Sequence, residues 1–307
     1  MRAAILLSLA SLGASLAVAQ ADLPAALDQI AVSEISRQRI PGVAAVVVKN
    51  DQIIWSTGLG VTSLESGSPI TPDTLFRLGS ARVFLAAAAS ELSAEGRLRL
   101  DAPAGEYLFG LDDKQAQLSA QRLLSPPSES SEEAVAAQLI QTIRAHPASA
   151  LLEEMVFRPL GMDHTTFAPG LAMTYPLAVG HTVNGAISRP MEGGPLFSSA
   201  RDLGRFLIAY LNGGKLDDQQ ALPPAVIAAL SGENGYGLQA DASRGVRLIR
   251  QTSAAPGFTG AILMAPDFQT GVVVLGNRDG ASAITIAQKL LERSLPVRFP
   301  QSAAILP

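Results

Sequence analysis

The sequence predicts a mixed fold, α/β of the α+β type. One antiparallel sheet is built from both chain ends and flanked by helices, with a helical insertion between the two halves. Three observations predict it. Gly42 to Val48 reads GVAAVVV, an unbroken apolar run of strand length, and the polar turn Lys49-Asn50-Asp51-Gln52 joins it to Ile53-Ile54-Trp55-Ser56 as a hairpin. At the far end, Val246 to Gln251 reads as a strand, and Gly260 to Met264 and Val272 to Leu275 form a second hairpin around Ala265 to Gly271. Between these ends, Asp101 to Pro190 carries helical patterns with breaks.

In chain order, Val61 to Leu64 is expected to add to the same sheet, and Thr71-Pro72-Asp73-Thr74 is loop chemistry. Phe76 to Ser80 leads into an alanine-rich helix, Val83 to Glu95, closed by Gly96 in the position glycine favours after a last helical turn. Ser125 to Ser131 is a polar loop, followed by helices over Glu132 to Ala145 and Ser149 to Phe157 that stop ahead of Pro147 and Pro159. Ser199-Ala200-Arg201-Asp202 is a capping box, opening a helix through Leu211 that Asn212-Gly213-Gly214 ends. Ser282 to Ser294 is a closing amphipathic helix. There is no internal repeat. The expected organisation is a leader over 1–19, then one domain over 20–307. Its sheet part is about 20–100 and 233–307, and its helical insertion about 101–232.

Composition narrows the function classes. The chain has 307 residues, 23 basic against 27 acidic side chains, a formal net charge of −4 and no cysteine. A chain this long buries a full core without a disulfide or metal staple. With no basic block, nucleic acid is excluded as a partner, since that affinity rests on clustered Lys and Arg. Thiol catalysis is excluded outright. The three histidines, His146, His164 and His181, are too far apart in sequence to suggest a metal site, so no cofactor or metal is expected. Met1-Arg2, the apolar stretch Ala3 to Val18 and the A-x-A pattern Ala17-Val18-Ala19 read as a cleaved export signal. The expectation is a periplasmic or secreted protein with no membrane span after cleavage. A small molecule or peptide is the class of ligand considered, and the oligomeric state is left open.

Several strings resemble the serine β-lactamase-related family, which includes class C β-lactamases, penicillin-binding proteins, D-aminopeptidases and related esterases. They are Ile40-Pro41-Gly42-Val43, Gly58-Leu59-Gly60, Thr71-Pro72-Asp73-Thr74-Leu75-Phe76-Arg77-Leu78-Gly79-Ser80, Arg158-Pro159-Leu160-Gly161-Met162, Gly193-Gly194 before Ser198-Ser199-Ala200-Arg201-Asp202-Leu203, Pro256-Gly257-Phe258 and Val273-Val274-Leu275-Gly276-Asn277-Arg278. They follow the family's order and cover most of the chain. The resemblance implies a β-lactamase/transpeptidase-like fold with a shortened helical subdomain.

The catalytic signatures depart from that pattern. The resemblance implies S-x-x-K, with Ser80 as acylated nucleophile and a lysine one turn on as proton acceptor. Val83 stands at that plus-three position. Allowing a one-residue deletion, Arg82 takes the lysine's place, and a guanidinium does not deprotonate. No Y-x-N triplet lies between Asp101 and Met162. Where the family has K-T-G or H-x-G, this chain has Gln251-Thr252-Ser253, a neutral candidate ligand-binding set to which Arg82 is added. The resemblance also implies an oxyanion hole from the main-chain N–H groups of Ser80 and Ala254, which survive side-chain replacement. A serine hydroxyl without a neighbouring base is a weak nucleophile. The first expectation is therefore an impaired or inactive homologue, retained to bind a peptide, acyl or cell-wall-derived ligand. The alternative is an active hydrolase acting through acyl-Ser80.

Plainer readings stand beside these. Ser80 serves as helix N-cap, as cap plus ligand contact, or as nucleophile. Arg82 reads as a solvated first-turn residue. The histidines read as structural, Trp55 and Phe84 as core, and Asp202 as explained by its cap. Tyr210 and Tyr236 are placed to approach a groove but lack the motif around them.

Overall fold

A computed structural model describes residues 22–125, 130–188, 196–231, 236–243 and 245–296. The expected leader over 1–19, residues 126–129 of the polar loop and the Gly193-Gly194 pair lie outside the described residues. The chain opens with a helix over 22–38 (α1), then strands β1 (Gly42–Lys49), β2 (Gln52–Gly60) and β3 (Leu75–Arg77), and helix α2 (Arg82–Ala94). The insertion carries α3 (Asp113–Gln117), α4 (Ala120–Leu124), α5 (Ser130–Arg144) and α6 (Ala148–Leu152), continued by a π-helical turn at Glu153–Phe157. After α7 (Pro169–Ala172) come β4 (Gly180–His181), β5 (Ile187–Ser188), β6 (Phe197–Ser199) and α8 (Ala200–Leu211). The chain closes with β7 (Lys215–Leu216), β8 (Gln219–Gln220), α9 (Pro224–Ser231), β9 (Gln239–Ser243), β10 (Val246–Ala255), β11 (Phe258–Ala265), β12 (Thr270–Gly276) and α10 (Ala283–Ser294).

Six strands form one sheet in the order β2-β1-β12-β11-β10-β9, with every neighbouring pair antiparallel. Strands from the two chain ends meet at β1 and β12, where Val43 pairs with Gly276 and Val47 with Val272. This central pairing explains why GVAAVVV is apolar without alternation: both of its faces are covered. Val43, Ala45 and Val47 pack with Leu27 of α1 and Ile286 and Leu290 of α10. Ala44, Val46 and Val48 face the other layer, with Phe84 of α2 and Phe206 and Leu207 of α8. Phe84 sits edge-on to Phe157 and Phe206, at centroid distances of 5.2 and 5.3 Å. Trp55 is buried on the α1 side and donates its indole N–H to Asp28 at 3.0 Å.

Three expectations change. Val61 to Leu64 does not extend the sheet; only Val61 makes an isolated bridge, to Pro69. Ser130 and Ser131 belong to α5 rather than to the polar loop. Residues 22–38, where no helix was expected, form α1, with Leu27 and Ala31 fully buried. No helix of the described residues is long and apolar enough to cross a membrane.

One buried side chain locks the meeting point of the two chain ends. Asn277, fully buried just past β12, accepts from the Gly42 N–H at 2.7 Å and donates to the Val61 and Thr62 carbonyls, each at 3.1 Å. Its carbonyl accepts from His181, both from the main chain and from Nδ1, each at 3.0 Å. His181 is thereby structural, with Nδ1 as the protonated ring nitrogen. Gly42 has no room for a side chain, because a Cβ there would lie 2.4 Å from the Val61 carbonyl oxygen.

Candidate active site

Ser80 lies just ahead of α2, where the strand that begins at β3 turns into the helix. Across from it runs β10. Gly79 lets these two segments touch: a Cβ at this position would stand 1.9 Å from the Ala254 carbonyl oxygen. The Gly79 N–H donates to the Ser253 hydroxyl at 2.6 Å, fixing the approach. Ser80 and Ala254 both line a cavity of about 530 Å³ between β10, α2, α5 and α6, within the range typical of small-ligand sites.

The third wall of that cavity supplies a group the sequence reading missed. Glu133, in the first turn of α5, accepts the Ser80 hydroxyl proton at 2.7 Å on Oε2 and the Ala81 N–H at 2.6 Å on Oε1. The Arg82 guanidinium lies 3.6 Å from the same Oε2. Arg82 is therefore not a solvated residue; its side chain is 14% exposed and ion-paired across the site. The Ser80 oxygen also accepts from the Arg82 N–H at 3.2 Å. Capping of α2 is thus shared: Ala81 occupies the cap position without a side-chain bond of its own, while Ser80 and Glu133 reach the first N–H groups.

Of the residues singled out from sequence, Ser80, Arg82, Gln251, Ser253 and Ala254 are brought together. Gln251 and Ser253 line a small apolar hollow behind Ser80, with Phe84 and Leu203. Thr252 is exposed, between the two side chains that turn inward. Val83 is 1% exposed in the core. Tyr210 is buried and accepts the Ser231 hydroxyl at 2.9 Å, so it is committed elsewhere. Among the described residues no lysine, tyrosine or histidine side chain hydrogen-bonds the Ser80 hydroxyl, and no cluster of His, Cys, Asp or Glu could hold a metal ion.

Asp202 does more than cap. Its N–H donates to the Ser199 hydroxyl at 3.0 Å as expected. Its buried carboxylate accepts from the His164 N–H and the Thr165 hydroxyl, each at 2.8 Å, pinning the segment after the Arg158-Pro159-Leu160-Gly161-Met162 string to α8.

Chemically, the corner pairs a hydroxyl with a proton-accepting carboxylate that is itself oriented by a main-chain N–H and a guanidinium. A nucleophile, a base and a group that orients the base is the general logic of serine catalysis. Glu133 was not legible because it lies 53 positions from Ser80 and belongs to no local spacing. Its only sequence trace is acidic character at a helix start, which is common for reasons of the helix dipole alone.

Comparison with known proteins places this corner in context. The "Esterase EstB" of Burkholderia gladioli is 36% identical over 89 residues, covering 29% of this chain and 23% of that protein. The matched stretch is therefore about a quarter of the relative's length. An octameric penicillin-binding protein homologue from Pyrococcus abyssi superposes with a TM-score of 0.77 at 19% identity, over 89% of this chain and 78% of its own. A β-lactamase from Sulfitobacter sp. EE-36 gives 0.76 at 18% identity, over 89% of this chain and 97% of its own. At these identities the two structures establish the β-lactamase/transpeptidase-like fold. The Beta-lactamase family model matches residues 27–293, nearly the whole described chain, and with the scaffold strings in their expected order the protein belongs to the β-lactamase family.

Proposed function

We propose that this protein is an exported serine acyl hydrolase that works slowly through Ser80, with Glu133 in the place of the missing lysine. The observation that carries the reading is the 2.7 Å contact between the Ser80 hydroxyl and Glu133 Oε2 inside a ligand-sized cavity. Ser80 Oγ attacks the acyl carbonyl carbon while its proton passes to Glu133 Oε2. The oxyanion so formed is held by the Ser80 and Ala254 N–H groups, the pair the family resemblance implies. Collapse breaks the carbonyl-carbon bond to the leaving alcohol or amine, which takes the proton from Glu133, and leaves acyl-Ser80. Water then attacks the acyl carbon, gives a proton to Glu133, and the proton returns to Ser80 as the carboxylic acid departs. Turnover is slow because carboxylates as a class accept a proton less readily than amines or imidazoles. Export is supported by the leader pattern in the first 19 residues and is checked by the mass of the mature amino terminus.

The test is covalent labelling. A fluorophosphonate probe is expected to add one adduct mass to the purified protein, mapped to Ser80 and absent in Ser80→Ala. A second reading, a non-catalytic binding module for a peptide, acyl or cell-wall-derived ligand, is favoured by Val83, which offers no proton chemistry at the position where the family has its lysine. That reading gains if no label forms and muropeptides raise the melting temperature in a saturable way.

A further inference from the structure

We infer that the substrate of this site carries a neutral, apolar acyl chain seated against α5 and α6, and that Ala137 limits its length. This rests on the acyl-hydrolase reading above. The charged side chains of the described cavity wall are Glu133 and Arg77, its hydroxyls are Ser80 and Ser149, and most of the rest is apolar, with Leu85, Ala137, Leu152, Phe167 and Leu196. Glu133 is already bonded to Ser80 and Ala81, and Arg77 is likewise engaged. The position where the family resemblance implies a cation on β10 holds the neutral Gln251, which lines the separate hollow behind Ser80. The described wall therefore presents no uncommitted charge to a substrate carboxylate.

The cavity's space comes from small residues. Ala134 and Ala137 lie three apart on α5, on one helix face, and Ala148 opens α6 beside them. Larger side chains on that face would fill the volume. With a carbonyl carbon at Ser80 Oγ, an acyl chain runs into this alanine-lined space, where each methylene leaves water.

The experiment measures kcat/KM for p-nitrophenyl acetate, butyrate and hexanoate, and for nitrocefin, a β-lactam that bears a carboxylate. Burial of one methylene is worth about fourfold, so butyrate is expected to exceed acetate by roughly 15-fold, with nitrocefin the poorest substrate. Ala137→Phe is expected to bring the butyrate-to-acetate ratio down to about one. A flat chain-length series in the unaltered protein, or nitrocefin as the best substrate, overturns the inference while leaving Ser80 hydrolysis standing. That series needs no variant, so misfolding of Ala137→Phe does not rescue the idea. Absence of turnover of any ester, together with absence of fluorophosphonate labelling, overturns both this inference and the acyl-hydrolase reading beneath it.

Discussion

Two polar corners of this molecule resemble each other in construction and differ in what has happened to them. At the seam of the sheet, Asn277 satisfies Gly42, Val61 and Thr62 with one side chain. At the start of α2, Glu133 satisfies Ser80 and Ala81 with one carboxylate. Gly42 and Asn277 of the first corner lie in strings that resemble the family. The second corner departs from what that resemblance implies, at the lysine, the Y-x-N triplet and the K-T-G triplet. The difference is what each side chain is for. Asn277 closes main-chain hydrogen bonds where no water enters, and a buried unsatisfied group costs about 1–3 kcal/mol whatever the chemistry nearby. The lysine that the resemblance implies for S-x-x-K would do proton chemistry, and the fold stands with the buried Val83 at that position.

The largest expected effect separates the two corners by activity. Glu133→Gln retains a side-chain oxygen for the Ala81 N–H but removes the proton acceptor. Ester turnover should fall by about 10²–10⁴, the usual contribution of a general base, while the thermal midpoint moves little. If Glu133→Gln turned over esters as the unaltered protein does, the carboxylate would be a cap alone, and the two corners would be the same kind of object.

Asn277→Ala should do the reverse. It leaves the Gly42 N–H and the Val61 carbonyl unpaired in the sheet seam, while the Thr62 carbonyl keeps its bond from the Val179 N–H, an expected loss of about 2–5 kcal/mol and a midpoint drop on the order of 10 °C. Chemical denaturation of the variant, or its failure to accumulate in folded form, reads this directly. Any ester turnover left in the folded fraction should proceed at the parental rate per folded molecule.

This contrast also explains what the sequence made legible. The GVAAVVV run, the β11–β12 hairpin and the Ser199 cap could be read because their causes are local: burial on both faces, turn residues between apolar runs, and a hydroxyl three residues before an N–H. The α1 helix was hidden by its position directly after the leader pattern, although Leu23, Leu27, Ile30, Ala31 and Ile35 keep a helical spacing and pack on the sheet. Arg82 and Glu133 were misread or unseen because a cross-helix pair has no signature in either segment. Reading Arg82 as solvated followed from its place in a first helical turn; α5, lying over that turn, buries it.

Two buried carboxylates sharpen the point that a charge's setting decides its sign. Glu34 on α1 is hydrogen-bonded by Arg37 and ion-paired with Lys289 of α10, and the Arg37 bond, ahead of the other contacts, holds its pKa down at about 2. The stability it contributes is full above the unfolded carboxylate value of roughly 4 and is lost as pH falls toward 2. Asp202 is the opposite case: burial outweighs its hydrogen bonds to Thr165 and His164, and its pKa is raised. The folded state holds that proton more tightly than the unfolded chain does, so its contribution is present at low pH and is lost as pH rises through the folded value. Urea midpoints followed from pH 2 to 7 should show Glu34→Gln flattening the acid limb. Asp202→Asn should gain on the parent as pH rises, because the amide oxygen still accepts from the loop without burying a charge. Parallel curves for Asp202→Asn and parent would show that the loop contacts, not desolvation, govern that site.

The smallest expected effect tests whether burial, rather than membership of a family string, sets the cost at the first corner. Asp73 and Arg201 both belong to such strings and meet in a two-point ion pair, Nε to Oδ1 at 2.6 Å and a terminal nitrogen to Oδ2 at 3.2 Å. Yet their side chains are 38% and 45% exposed, and the main-chain bond from the Arg201 N–H to the Pro72 carbonyl holds the same two segments together without them. In water such a pair contributes under about 1 kcal/mol and weakens with salt. Asp73→Asn should therefore shift the denaturation midpoint only slightly at low salt and less still in 1 M salt. A loss as large as that of Asn277→Ala would mean that the strings mark energetic hubs in their own right, and the argument from buried main-chain groups would have to give way.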